Sequence, residues 1–192
     1  MKIPFALIKP FMLLYLVTII TFPRVIITAK ISNDLISEIC RKTRNRILCS
    51  KLLKSNRRAH KASSLLQLGK ISMDLSKSSA QETKNMIIKL HLRTRSDHRK
   101  LKERYKSCLT NYESAIHNLK LSNNYYKSGD FAKAGRYTAA ALKETTSCEQ
   151  NFAESAPADL QEENRKMECL CSVVLVICNS LSGRGFCQLL AD

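Results

Sequence analysis

Two stretches of this 192-residue chain each set a cysteine inside an apolar stripe that repeats every third or fourth position, and this narrows the fold more than any other feature. In the first, Leu101, Tyr105, Cys108, Leu109, Tyr112, Ala115, Ile116 and Leu119 fall on one side of a helix. In the second the stripe reads Phe131, Ala134, Thr138, Ala141, Leu142, Thr145, Cys148 and Phe152, and it stops before Pro157. Between them stands "KSGD", where Gly129 can take the positive φ that ends a helix and Asp130 can cap the next. Consecutive helices joined so briefly run antiparallel, so Cys108 and Cys148 can face each other across a shared seam, where a bridge is sterically natural. Closing a ring of that length stabilises a fold by roughly 3 to 4 kcal/mol in the chain-entropy account, much of a small domain's net stability.

The rest of the chain has the same period. "ISNDLISEICRKTRNRILCSKLL" reads as two short helical pieces pinned at the neck by Cys40 and Cys49, whose short ring sets the hairpin's angle more than it removes chain entropy. From about Ala62 to Leu92 the apolar positions are Leu65, Leu68, Ile71, Leu75, Met86, Ile87 and Leu90. The middle of that segment, with Ser72, Ser76, Ser78, Ser79 and Ala80, is small and weakly polar, which permits close helix approach. After "RTRSDHRK", where Ser96 is the expected N-cap, comes the helix of Cys108. A last helix carries Leu160, Met167, Cys171, Val174, Cys178 and Leu181 and ends at "SGRG". No segment alternates like a strand. The expected fold is all-α: an up-down-up-down four-helix bundle preceded by a short N-terminal helical hairpin and stapled by disulfides.

The apolar run from Phe11 to Phe22 has no charge but is too short for a bilayer-spanning helix, which needs roughly 20 apolar residues. With Lys2 and Lys9 before it and Ala29 offering a small residue for cleavage, residues 1–29 read as a secretory signal peptide, 30–183 as the helical domain and 184–192 as a short tail. Cleavage would remove Lys2, Lys9 and Arg24 and no acid, taking the net charge from +16 to +13. A secreted chain so basic attracts polyanions such as acidic polysaccharide, anionic lipid or an acidic protein, rather than nucleic acid. All eight cysteines follow the leader, and an even number in an oxidising compartment favours disulfides. Cys171 and Cys178, seven apart on one helix and so about 10 Å distant, cannot bridge each other. Cys169 points to the other side of that helix, and Cys187 in the tail is left to pair with Cys169 or Cys178, or between chains. C-x-C-x6-C with no histidine nearby does not match structural zinc spacing, and no metal or cofactor is expected.

"CRKTRNRILC" (Cys-x2-Thr-x5-Cys), "LKERYKSCLTNYESAIHNL", "GDFAKAGRYTAAALKETTSCEQNF" and a closing "EEN" before an apolar helix together resemble the plant invertase and pectin methylesterase inhibitor family. The resemblance runs from about Asp34 to Leu181 and rests on four ordered cysteines with the Tyr/Ala stripe. It implies bridges Cys40–Cys49 and Cys108–Cys148, and a stoichiometric inhibitor that covers the substrate cleft of a cell-wall enzyme in the apoplast. Members commonly have a proline near Arg46, absent here, and the chain from Cys169 onward is unusually rich in cysteine. Invertase-directed members carry Pro-Lys-Phe after the Gly-Asp of the turn before the penultimate helix. Here that turn reads Gly129-Asp130-Phe131-Ala132-Lys133, which favours pectin methylesterase over acid invertase as the target.

The residues also argue against chemistry by this chain: there is no nucleophile elbow or phosphate loop, the five glycines are scattered, and His60, His91, His98 and His117 have no partner motif. The expected contact row is the outward side of the Cys108 helix, with Thr110, Glu113 and His117 touching the target. His117, of the one side-chain type that ordinarily titrates in mild acid, is expected to make that contact depend on wall pH. The run Lys89–Lys106 holds eight Lys/Arg against Asp97 and Glu103 and is the expected site of weak, salt-sensitive binding to anionic pectin. Two rival classes predict different behaviour. A basic module without an enzyme target would be retained on polygalacturonate and inhibit nothing, and a hydrolase would lose turnover on mutation of one polar residue.

Overall fold

The computed structural model describes residues 33–152 and 156–183. The expected leader (1–29) and tail (184–192, with Cys187) lie outside the described residues. Two short helices, α1 (33–41) and α2 (Arg46–Ser55), form a hairpin, and a 3-10 turn (Ala59–Lys61) leads to four long helices. These are α3 (Leu65–Arg93), α4 (Arg99–Lys127), α5 (Phe131–Gln150) and α6 (Ala158–Leu181). No strand occurs among the described residues.

Local chemistry sets the boundaries. Without the expected proline, α2 starts from Asn45, whose side-chain oxygen accepts from the Leu48 N–H, while Thr43 Oγ1 donates to the Cys40 carbonyl at 2.8 Å. α3 begins at Leu65, three residues later than its apolar pattern suggests, because Ser64 caps it by accepting from the Gln67 N–H. Gln67 reaches back to accept from the Ser63 N–H, in the manner of a capping box. Ser96 does not cap α4. Residues 95–98 close a turn in which the His98 N–H donates to the Arg95 carbonyl, and His98 takes the cap position with no side-chain hydrogen bond. The first turn of α4 therefore has neither a capping oxygen nor an acid, and Arg99, Lys100 and Lys102 oppose the positive end of the helix dipole. Between α4 and α5, Gly129 (φ 81°) and Asp130 form a Schellman closure, their N–H groups donating to the carbonyls of Tyr126 and Tyr125. Asp130 then caps α5 through the Lys133 N–H.

Long-range contacts fix the register. Tyr126 Oη donates to the Leu66 carbonyl, and Lys84 Nζ lies 2.8 Å from Glu113 Oε1, so α3 and α4 are antiparallel. Asn111 donates to Glu144, and the Cys108–Cys148 bridge, with Cα atoms 4.5 Å apart, closes the α4–α5 hairpin at the end away from its turn. Cys40–Cys49 joins α1 to α2 with Cα atoms 5.5 Å apart. Tyr105 packs on the fully buried Phe152, ring centroids 5.2 Å apart, just before the bridge.

The seam of α3 is not the aliphatic row that the sequence offers. Leu68, Ile71 and Ile87 are buried, but Leu75, Met86 and Leu90 only partly so, while Ser72, Ser76, Ser79, Ala80 and Thr83 fill the interior. Such hydroxyls can be buried because Ser72, Ser76 and Thr83 donate to carbonyls one turn back in their own helix. At the centre Tyr112 Oη donates to Asn164 Oδ1 at 2.7 Å, and burial holds the phenol well above its ordinary pKa. Gly69 allows the tightest approach, since a Cβ there would collide with the Tyr126 hydroxyl and with Ile177. Gly69→Ala is expected to cost about 1–3 kcal/mol by overpacking, read as a lower urea midpoint at unchanged slope.

α6 is covered on almost every side, by α3, α5 and the hairpin, and buries Cys169, Cys171 and Cys178 as free thiols. Cys169 does face away from the main stripe, yet it is buried, because the hairpin covers that side. Burial raises its pKa to about 11, and those of Cys171 and Cys178 to about 12, from an ordinary 9.0. These thiols stay neutral in the fold while the unfolded chain ionises from about pH 9, so their contribution is complete below that pH and is lost as pH rises toward 11–12. The denaturation midpoint is expected to fall over that window, and to fall less in a Cys169→Ala/Cys171→Ala/Cys178→Ala variant.

Candidate functional site

The outward row selected from the sequence lies on α4, on the side where that helix packs against α3. Thr110, Glu113 and His117 all lie exposed on the outer row of α4, spaced three and four residues apart. Thr110 Oγ1 makes only a long 3.4 Å contact with the Lys106 carbonyl, which leaves its hydroxyl available. Glu113 is more constrained than its sequence position suggests, because its pair with Lys84 holds the carboxylate over the groove between the two helices. An exposed pair of this kind contributes about 0–1 kcal/mol to stability, so its more useful effect is to fix where the charge sits.

The same register brings in residues that the sequence reading did not select. Lys84, Ile88 and Leu92 follow one another at four-residue steps along α3, which places Ile88 roughly level with Leu109 and Leu92 with Tyr105. Ile88 is 36% exposed and Leu92 74% exposed, so apolar surface flanks the Thr110–Glu113 row. Their signal in the sequence was an aliphatic pair at i, i+4 off the apolar stripe. It cannot be told from a core pair without knowing which side of α3 the bundle covers.

The two ends of the bundle differ. At the α4–α5 turn Lys133 is held on two sides: Asp130 Oδ2 lies 3.0 Å from Nζ, and beneath it lies the Tyr125 ring, itself stacked on Tyr137 at 5.4 Å. The hydrogen bond from the Lys133 N–H, then that from its side chain, lower the Asp130 pKa, and the carboxylate in turn raises that of Lys133. The basic run Lys89–Lys106 instead spans the α3–α4 turn and is exposed over residues 95–100. Among the described residues no group of three or more His, Cys, Asp or Glu is placed to hold a metal ion, and no helix is long and apolar enough to cross a membrane.

Known proteins share the sequence and the fold of this chain. Residues 34–177 match the family described as plant invertase/pectin methylesterase inhibitor. The chain is 38% identical over 158 residues to a pectinesterase inhibitor of Actinidia deliciosa, covering 81% of this chain and 84% of that one. It is 29% identical over 147 residues to pectinesterase inhibitor 2 of Arabidopsis thaliana, covering 76% and 83%. Among solved structures, a mutant form of a pectin methylesterase inhibitor from Arabidopsis superposes with a TM-score of 0.67 at 27% identity, covering 75% of this chain and 95% of that one. With fold and sequence in agreement over three quarters of its length, the chain belongs to the plant invertase/pectin methylesterase inhibitor family.

Proposed function

We propose that this protein is a secreted inhibitor of a pectin methylesterase, which it binds stoichiometrically through the α3–α4 face so that the bundle blocks the substrate cleft. The choice of target rests on kinship with proteins named pectinesterase inhibitors. The choice of face rests on one observation: the exposed Ile88 and Leu92 lie near Thr110 and near Glu113, which Lys84 holds in place, an apolar patch with a polar rim of the kind that anchors protein interfaces, with His117 further along the same row. On this reading the chain acts by binding and performs no turnover. Residues 1–29 direct it to the apoplast, and 30–183 are the inhibitory unit. The basic run Lys89–Lys106 adds weak attraction to demethylated pectin.

The alternative target, acid invertase, is less favoured because the α4–α5 turn reads Gly129-Asp130-Phe131-Ala132-Lys133 without the Pro-Lys-Phe of invertase-directed members, and its Lys133 is paired with Asp130. Titrating the oxidised protein against a pectin methylesterase and an acid invertase, at low and high salt, separates the readings. Saturating 1:1 inhibition of the esterase alone is the expected result. Inhibition of the invertase alone would move the target, and inhibition of neither by a folded protein would remove the assignment.

A further inference from the structure

Away from that face, a concavity lies between the two helices of the N-terminal hairpin. It is an open groove of about 730 Å³ bordered by Arg41, Arg44, Arg46 and Lys51, with no carboxylate among the residues that line it. The nearby acids do little to neutralise it. Glu38 pairs with Lys42, and Glu168 reaches only Arg44, at 3.9 Å, with the Arg44 side chain 80% exposed. Among the described residues no ion pair engages Arg41, Arg46 or Lys51. The groove also opens at the start of α2, whose first turn carries no acid, so the dipole adds to the positive potential.

We propose that this groove is a subsite for an acidic polysaccharide, a chain of uronate sugars whose carboxylates pair with the three arginines. Guanidinium groups take carboxylates in a planar two-point contact that lysine cannot match. The groups between the cations suit a sugar. Ser37, Ser50 and the amide nitrogen of Asn45, whose oxygen is committed to α2, can meet ring hydroxyls. Ile47, 85% exposed at the groove, offers an aliphatic surface to the C–H side of a pyranose ring. No aromatic residue lines the groove, so it lacks the stacking surface on which single-stranded nucleic acids depend. One isoleucine is also little apolar area for holding a membrane surface. Cys40, itself part of the wall, ties the two helices together through Cys49 and so holds the groove's width.

The groove differs from the run Lys89–Lys106, which spans an exposed turn and is interspersed with Asp97 and Glu103. The identity of the sugar rests on the inhibitor reading above, whereas the anion subsite does not. Calorimetric titration of the full oxidised protein with a size-defined, de-esterified galacturonan oligomer tests it without any enzyme present. Arg41→Gln/Arg44→Gln/Arg46→Gln/Lys51→Gln is expected to weaken binding at least about tenfold, and the equal charge change Arg93→Gln/Arg95→Gln/Lys100→Gln/Lys102→Gln less than about threefold. The fully methyl-esterified oligomer is expected to bind neither parent nor variant, and circular dichroism checks that each variant is folded. Equal losses in the two variants would mean a diffuse field and overturn the subsite. Tighter, groove-dependent binding of phosphatidylserine vesicles or single-stranded DNA would overturn the uronate assignment. Retention of oligomer binding by a protein that inhibits no methylesterase would leave the groove standing and remove only the inhibitor reading.

Discussion

A Thr110→Arg/Glu113→Arg variant is expected to inhibit a pectin methylesterase at least about a hundredfold more weakly than the parent, with an unchanged circular-dichroism spectrum. The change puts two long cations on the centre of the proposed face and frees Lys84, whose partner is Glu113, so three like charges meet where one neutral pair stood. A hundredfold is about 2.7 kcal/mol, the range of a central interface residue. The lost surface pair can account for only about 0–1 kcal/mol of fold stability, so unfolding cannot mimic the result. Leu92→Ala, which removes exposed apolar area and no core contact, is expected to give a smaller loss of about five- to tenfold. Undiminished inhibition by the double variant would place the contact surface elsewhere on the bundle.

The second large effect is on stability. Cys108→Ala/Cys148→Ala is expected to destabilise the fold by roughly 3 to 4 kcal/mol, against roughly 2.5 kcal/mol for Cys40→Ala/Cys49→Ala, because the first bridge closes 40 residues and the second only 9. The larger loss should also be localised. α4 starts with no side-chain cap and with cations against its dipole, so its first two turns are held by the bridge and by Tyr105 on Phe152 rather than by helix propensity. Hydrogen exchange is expected to accelerate first over residues 99–107 in the variant lacking the Cys108–Cys148 bridge. Uniform acceleration across all helices would show that the bridge acts only on the unfolded chain.

How far the chain could be read in advance depended on where the information lay. Helices α4 and α5 were legible because Tyr105, Cys108, Tyr112 and Ala115, and Ala134, Thr138, Ala141 and Cys148, mark a seam that local periodicity defines, and Gly129-Asp130 marks the turn in only two residues. The seam of α3 was not, because hydropathy ranks Leu75 and Leu90 above Ser72 and Ser76, although a serine that bonds to its own helix can be buried where a leucine would not fit. The start of α4 was misplaced for a similar reason. Ser96 has the right chemistry for a cap, but the turn through Arg95 and His98 begins the helix two residues too late for it to serve. For the candidate face, the outward row Thr110, Glu113 and His117 follows from helix geometry alone, whereas Lys84, Ile88 and Leu92 join it through a register that only a long-range contact defines.

The placement of the two cross-links determines how the molecule would come apart. One lies wholly within the first half of the chain and the other wholly within the second, so no covalent tie besides the backbone spans the connector at 94–98, which is exposed from Arg95 onward. A trypsin-like protease cutting after Arg95 would leave two pieces that migrate separately on a denaturing gel run without reductant. A cut after Lys127, inside the ring closed by Cys108 and Cys148, would leave its two products joined until a thiol is added. A single cleavage at this exposed turn, outside both rings, would thus part the α3 half of the bundle from the α4–α6 half, which a cut inside a ring cannot do.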